Sequence, residues 1–411
     1  MATEEDAREG EISPCPLPNL RHLKAFLLVA EMQSVNRAAE RVNLSQPAIT
    51  QAIARLEKLF GVELFNRHQT GMYITDFGTL LRNRLMDAFL ALGAGAGQAA
   101  GSALADAVAA DPTRYVTASQ LNALSALNQS GDFQVAADQL GITATSLHRN
   151  IRGLEEQLAA KLVFRDGHAV QFSRSGSVLA QQAKLAMREL ELAYEDIDWA
   201  RGVNRGRLTI GALPLTRSYI APKALVTLAS NHPELRVRLM EGSYPVLLRA
   251  LCEGDVDVLI GALREPPPVS SVVEEPLFTE TLCVVARGDH PLVGAKSIVT
   301  RELLGYPWVA PRAGSPARRE FERLMSDAGP PLMLEVASHN SVRAILFESD
   351  ALALLSPEQI RYEVKNGQLA VLPVEWQPQP RTIGYTVRKN WRPTLAQREL
   401  IDILQTICGE L

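Results

Sequence analysis

Apolar residues recur at two different periods along this chain, and the change of period divides it. Leu23, Phe26, Leu27 and Ala30 fall on one face of a helix. Ala38, Ala39 and Val42 do the same on a shorter helix after Ser34, which is placed to cap it. Ile49, Ile53 and Leu56 mark a third, reached through a tight turn at Asn43-Leu44. The small alanines let two crossing helices approach closely. Gly61 stops the third helix; Val62, Leu64 and Phe65 then begin a strand that turns at Gln69-Thr70-Gly71 and returns through Met72, Tyr73 and Ile74. Three helices followed by a hairpin predict a winged helix-turn-helix.

The third helix carries the chemistry. Ser45 can accept from an unpaired first-turn N–H, and Pro47 lies where its missing N–H costs nothing. Opposite the apolar stripe stand Gln46, Thr50, Gln51 and Arg55. Such a face suits base edges in a major groove: Gln can bond adenine twice, Arg can do so with guanine, and Thr can meet a thymine methyl. Taken alone, these residues also fit an ordinary amphipathic surface helix. Charge shifts the balance. Residues 20–75 hold seven Lys/Arg against four acids, in a chain whose net charge is −4. Arg37 and Arg41 point outward on the second helix, and Arg67 at the base of the wing is placed to hold a phosphate.

Residues 76–92 continue as a helix with Phe77, Leu80, Leu81, Leu85, Ala88, Phe89 and Leu92 at helical spacing. The Gly/Ala-rich tract 93–111 then reads as a flexible link or a weak helix extension. A repeat follows. Shifting the sequence by 98 residues lays Leu23, Ala38-Ala39, Ile53, Leu56-Glu57, Leu64, Arg67 and Gly78 on Leu121, Ala136-Ala137, Ile151, Leu154-Glu155, Leu162, Arg165 and Gly176. Core positions and the wing arginine recur, so residues 112–175 should fold as a second winged unit. The reading face does not recur: Gln46, Pro47, Thr50 and Arg55 become Ala144, Thr145, His148 and Gly153, while Arg149 and Arg152 are new. Five basic residues balance five acids over 115–175. The second unit therefore either touches DNA through Arg149, Arg152 and Arg165 or serves assembly. Residues 173–200 form another long amphipathic helix whose apolar seam is a pairing surface.

Beyond residue 205 the period changes. Apolar runs at 207–213, 235–240 and 256–261 alternate with helical stretches near 221–231 and 246–253. A similar set follows, with strands at 282–286, 308–310, 334–336, 351–355 and 381–388 and helices near 317–328, after 341 and at 395–407. This alternation predicts parallel α/β sheets in two lobes.

The motifs Arg37-Ala38-Ala39, Leu44-Ser45-Gln46-Pro47-Ala48, Leu56-Glu57, Leu59-Phe60-Gly61, Leu64-Phe65-Asn66-Arg67 and Thr75-Asp76-Phe77-Gly78 resemble the LysR-type transcriptional regulators. That resemblance implies a linker helix pairing subunits, commonly as tetramers, and a two-lobed effector domain similar to periplasmic solute-binding proteins over residues 206–408. The opening of that domain, 209–218, is most similar to the branch containing regulators of sugar uptake and protocatechuate catabolism. The expected fold class is α+β multidomain. It comprises a disordered lead (1–18), a winged DNA-binding domain (19–78), a linker helix and link (79–111), a second winged domain (112–175), a linker helix (176–204) and the effector domain (205–411).

Ligands of such sheets sit where strands end and helices begin. Candidates there are Thr216, Arg217, Ser218, Ser243, Arg264, Ser338 and Asn340, with Arg312 and Ser315 nearby. Hydroxyls, helix N-termini and guanidinium groups favour a small anion such as a carboxylate, although Ser and Asn also simply cap helices. Cys252 and Cys283 read as buried structural thiols rather than a peroxide-sensing pair. The four scattered cysteines form no CxxC, and no cofactor or metal signature stands out. No Gly-x-Ser-x-Gly elbow, P-loop or HExxH argues for catalysis. The acidic N-terminus has the wrong sign for a signal peptide, so the protein is expected in the cytoplasm. The expected partners are double-stranded promoter DNA, a small-molecule effector and further copies of the chain, as a dimer or tetramer through the linker helices. An assembly protein that keeps the fold without reading DNA is the alternative.

Overall fold

A computed structural model describes residues 17–42, 44–68, 71–166, 169–326, 329, 332–336 and 338–411. Most of the expected N-terminal lead, Cys15, the turn residue Asn43, the wing-tip residues Gln69 and Thr70, and His168 lie outside the described residues, as does the side chain of Arg165. Two compact units divide the chain at Arg205. Among the described residues no helix is long and apolar enough to cross a membrane.

The first unit begins with α1 (Leu20–Met32), α2 (Val35–Val42) and α3 (Gln46–Phe60), followed by the hairpin of β1 (Phe65–His68) and β2 (Gly71–Ile74). Leu23, Phe26, Ala38, Ile49, Ile53, Leu56 and Leu64 form its core, each fully or almost fully buried. The second copy repeats the pattern with α6 (Ala118–Ser130), α7 (Phe133–Gln139), α8 (Ala144–Leu158), β3 (Val163–Asp166) and β4 (Ala169–Phe172), after the short α5 (Ala105–Ala110). Two details show how closely the copies match. Glu57 Oε1 accepts from Leu64 N at 3.1 Å, and Glu155 Oε1 accepts from Leu162 N at 2.9 Å, tying each wing to its third helix. A Cβ at Gly78 would strike Leu64 O, and one at Gly176 would strike Leu162 O.

The long helices α4 (Asp76–Ala99) and α9 (Arg174–Ala200) pack on each other inside this unit. They run antiparallel, because Arg84 meets Asp196 while Gly95, further along α4, meets Gln182 and Leu179, earlier on α9. The apolar seam of α9, expected to join subunits, is thus filled by α4 of the same chain. Leu81, Leu85, Ala88 and Leu92 lie buried with Leu179, Ala183, Ala186 and Leu190 in one continuous core. Tract 93–111 differs from a flexible link. Gly93, Gly95 and Gly97 are buried in the last turns of α4, where Gly93 and Gly97 let α5 fold back through Ala109 and Gly95 admits α9. Glycine is costly in an isolated helix, but here its missing Cβ is what permits backbone contact.

The second unit holds two five-stranded sheets. Its elements are β5 (Gly206–Ala212), α10 (Ile220–Asn231), β6 (Leu235–Glu241), α11 (Tyr244–Glu253), β7 (Val258–Ala262), β8 (Val272–Glu280) and β9 (Cys283–Arg287). Then come α12 (Thr300–Leu303), β10 (Trp308–Ala310), α13 (Pro316–Leu324), β11 (Met333–Glu335), α14 (His339–Phe347), β12 (Leu352–Leu355), α15 (Arg361–Lys365), β13 (Leu369–Val371), β14 (Arg381–Arg388) and α16 (Leu395–Gly409). One sheet has the order β6-β5-β7-β14-β8 and the other β11-β10-β12-β9-β13. In each, three parallel strands are completed by an antiparallel pair. The chain crosses between lobes at Leu282 and again between β13 and β14. Neither β8 nor β13 was expected. The register of β8 slips where Pro276 faces Gly384, and its Glu274-Glu275-Pro276 stretch breaks the alternation that marks a strand.

Candidate nucleic-acid interface and effector cleft

On α3 the burial pattern separates the two faces. Ile49, Ala52, Ile53 and Leu56 are buried, whereas Ser45, Gln46, Pro47, Thr50, Gln51 and Arg55 are exposed. Ser45 accepts from Ala48 N at 3.4 Å, and the helix ends at Gly61, whose φ of 68° is left-handed. Thr50 Oγ1 donates back to Gln46 O at 3.1 Å, which leaves its methyl group and lone pairs outward. His22 on α1 lies close enough to Arg55 to feel it: burial first, then that positive charge, pushes the imidazole below its ordinary value. Arg37 is exposed and curls onto Met32 O at the end of α1. Arg67 is 60% exposed and only 3.9 Å from Glu57, so its charge is weakly engaged.

The α8 face is a different surface. Arg149 and Arg152 are exposed, and Arg152 Nε donates to Glu156 Oε1 at 3.2 Å. His148, which stands where the first copy has Thr50, stacks on Phe133 with ring centroids 3.8 Å apart. That stacking spends the imidazole on packing.

In the second unit the loops after β5, β6 and β7 converge, as the strand ends of such a sheet should. Arg217 Nε donates to Ala212 O at 3.0 Å and its Nη2 to Gly242 O at 2.7 Å, joining the first two loops. Arg264 lies over the Tyr244 ring, 4.5 Å from its centroid, and both bond Glu274: Tyr244 Oη donates at 3.2 Å and Arg264 N at 2.7 Å. Burial depresses both guanidinium pKa values; Glu241 opposes this at Arg217, and Tyr244 and Glu274 oppose it at Arg264. Arg319 and Arg381 act on Arg264 in the same direction as burial. From the other lobe His339 comes within reach of Arg217, and burial holds its imidazole below the usual range. These partly desolvated positive charges form a setting in which an anion is favoured.

The sequence-selected residues fare unevenly there. Thr216 is fully buried and its hydroxyl donates to Leu213 O at 3.1 Å and Ile260 O at 3.2 Å, so its donor is committed to the main chain. Ser243 and Ser338 are N-cap residues of α11 and α14 whose side chains make no cap bond. Ser218 is half-buried and Asn340 exposed. Ser315, by contrast, does cap α13, accepting from Arg318 N at 3.1 Å. Glu274 and Arg319 were missed; Glu274 carries no positional signal until the fold brings it to Tyr244, thirty residues earlier in sequence. Cys283 is half-buried rather than buried as expected; it donates to Leu355 O at 3.3 Å, and desolvation pushes its thiol up to about 12. Such a thiol is inert at neutral pH. Cys252 is half-buried, with its sulfur 3.6 Å from Ser271 Oγ.

An exposed helix-turn-helix face in the first unit and two α/β lobes in the second are the architecture of a DNA-binding regulator with an effector-binding domain. Comparison with known families agrees. Residues 20–79 and again 118–177 match the bacterial regulatory helix-turn-helix protein, lysR family, and residues 201–409 match the LysR substrate binding domain. The chain belongs to the LysR family of transcriptional regulators. It is similar to the HTH-type transcriptional regulator GalR of Pseudomonas putida, 33% identical over 96% of this chain and 98% of that one, so the likeness runs through both winged units. It also resembles the HTH-type transcriptional regulator PcaQ of Agrobacterium fabrum, 30% identical over 67% of this chain and 90% of the other. A full-length OxyR point variant from Pseudomonas aeruginosa shares the fold, with a TM-score of 0.55 and 22% identity over 70% of this chain and 97% of that chain.

Proposed function

We propose that this protein is a sequence-specific transcriptional regulator that reads promoter DNA with α3 and answers to a small anionic effector, of carboxylate type, held between the lobes of its second unit. One observation carries the DNA-reading part: Gln46, Thr50, Gln51 and Arg55 are exposed on a helix whose opposite stripe is fully buried. On this reading Gln46, Gln51 and Arg55 meet base edges, with Thr50 contributing its methyl group, while Arg37, Ser45, Pro47 and Arg67 set the helix against the backbone. Arg149, Arg152 and Arg165 add contacts from the second copy. The assembly-only alternative finds no support, since the described residues of the first unit leave the α3 face open to solvent.

Arg217 and Arg264 are the effector's charge partners, and Ser218, Ser243, Ser338 and Asn340 supply hydrogen bonds. Thr216 shapes the loop from beneath. The effector acts by binding one arrangement of the protein more tightly than another. The experiment is selection of bound duplexes from a random pool by the full chain, followed by footprinting of the enriched sequence with and without small mono- and dicarboxylates. A protected tract that is lost in Gln46→Ala with Arg55→Ala is expected; equal protection of all sequences rejects the reading.

A further inference from the structure

The two winged units are related by a pseudo-two-fold built into one chain. Under the 98-residue shift Arg84 corresponds to Gln182, and Gly95 to Ala193. A two-fold would carry Arg84–Asp196 onto Gln182–Gln98; Gln182 instead lies against Gly95, one helical turn earlier on α4, so the two contacts are exchanged approximately, to within a turn. The ends of the third helices obey the same relation. Phe60 stacks on Tyr194 near the end of α9, with centroids 4.2 Å apart, and Leu158 O accepts from Gly101 N just beyond α4 at 2.8 Å. Ala159 even adopts the left-handed backbone of its counterpart Gly61, with φ of 50° against 68°. A two-fold rotation leaves every group at its own height along the axis. A third helix offered toward one end of the axis is thus matched by the other offered toward the same end.

The seam also prefers unlike halves. Arg84 is 3% exposed and is neutralised by Glu189 and Asp196. Pairing α4 with a second α4 would put Ala91 and Gln98 where those acids stand and leave two buried guanidinium groups uncompensated. Pairing α9 with a second α9 would put Ala193 where Gly95 stands, facing Gln182. A Cβ at Gly95 would already fall 2.5 Å from Gln182 Cβ, so the seam has no room for it. The chain is built to pair its own first linker with its own second.

We infer that a single chain lays both α3 and α8 on one duplex, and that its target is composed of two unlike blocks rather than a palindrome. Like-for-like dimers of helix-turn-helix proteins read symmetric half-sites about one helical turn, ~10 bp, or a multiple apart. Here the same geometry presents Gln46, Thr50, Gln51 and Arg55 to one block, and Thr145, Arg149 and Arg152 to the other. The asymmetry fixes the protein's orientation on the promoter without a second chain. This rests on the DNA-reading assignment made above.

The test uses the full chain and a pool of duplexes randomised over about three helical turns, roughly 30 bp. The expected consensus has two blocks and differs from its own reverse complement. Gln46→Ala with Arg55→Ala should erase one block, and Arg149→Ala with Arg152→Ala the other, each weakening the two-block duplex roughly tenfold, the scale of one lost base-edge pair. All four residues are exposed, so folding should survive. Mixing the two double variants should not restore the parent's footprint, because neither chain owns both reading helices. A palindromic or single-block consensus overturns the inference while leaving the regulator assignment standing. Restoration on mixing overturns it too, since linkers exchanged between copies would then form the pair. No consensus at all from the parent chain rejects both.

Discussion

Arg84 Nε donates to Asp196 Oδ2 at 2.7 Å and its Nη1 to Glu189 Oε2 at 3.1 Å, across the seam between the two linker helices. Burial works against the charge, and the two carboxylates more than offset it, so the guanidinium pKa stands above its ordinary value. Removing one partner of such a cluster leaves buried charge without compensation. Arg84→Ala should cost about 3–5 kcal/mol of the first unit's stability, read as a shift in denaturation midpoint. Replacing all three groups with apolar residues of similar volume should recover most of that loss. A near-silent Arg84→Ala would mean that the apolar residues alone fix the register.

Gly78 and Gly176 offer a matched pair of probes. Each sits where a methyl group would strike the carbonyl oxygen at the start of its own wing, Leu64 O or Leu162 O. Backbone cannot swing aside as a long side chain can. Alanine at either position should destabilise by about 1–3 kcal/mol, with similar values at both if the copies are packed alike. Thermal unfolding of the two single variants gives the comparison directly.

What the sequence made legible follows from how local each cause is. The third helix could be placed from Ser45, Pro47 and the Ile49-Ile53-Leu56 stripe because caps and periodicity act within a few residues. The second winged unit was legible because a repeat preserves core positions. The glycine tract reads from sequence as either a flexible link or a helix extension, with nothing to choose between them, for the opposite reason. Gly95 is helical because Gln182 and Leu179 press against it, and nothing near residue 95 announces them. Thr216 shows the same limit at the cleft: a threonine after a strand looks available for a ligand until two carbonyl oxygens claim its proton.

That last point separates structural from binding roles. Thr216→Val should lower stability by about 1–3 kcal/mol, because Leu213 O and Ile260 O lose a buried donor, while carboxylate binding persists. Ser243→Ala should do the reverse, since its hydroxyl makes no cap bond. Calorimetric titration of both variants with the same carboxylate, alongside their unfolding midpoints, distinguishes the two cases. Equal losses of affinity would return Thr216 to the binding set.

The dependence of DNA affinity on salt isolates the backbone contacts. Each neutralised phosphate contributes about 0.9 to the slope of log affinity against log salt. Arg67→Ala should therefore flatten the slope by about 1 and weaken all duplexes alike, whereas Gln46→Ala should leave the slope unchanged and weaken only the preferred sequence. A sequence-selective loss in Arg67→Ala would move that residue from positioning to reading.

Acid sensitivity should begin early. Burial holds the imidazoles of His22, His290 and His339 below their ordinary value of 6.5. A group whose folded pKa is depressed takes up its proton more readily when unfolded, so the unfolded state gains protons first as pH falls. The stability these histidines support is complete above about pH 6.5 and declines as pH drops through and below that value. Carboxylates with depressed pKa, among them Asp111 and Glu399, respond only in the lower range near their ordinary values of 3.8 and 4.5. Two acid phases are expected in stability against pH. Replacing His339, the histidine facing Arg217, with Gln should flatten the upper phase in the second unit and leave the lower one untouched. An unchanged upper phase of the second unit in that variant would assign it to His290 instead.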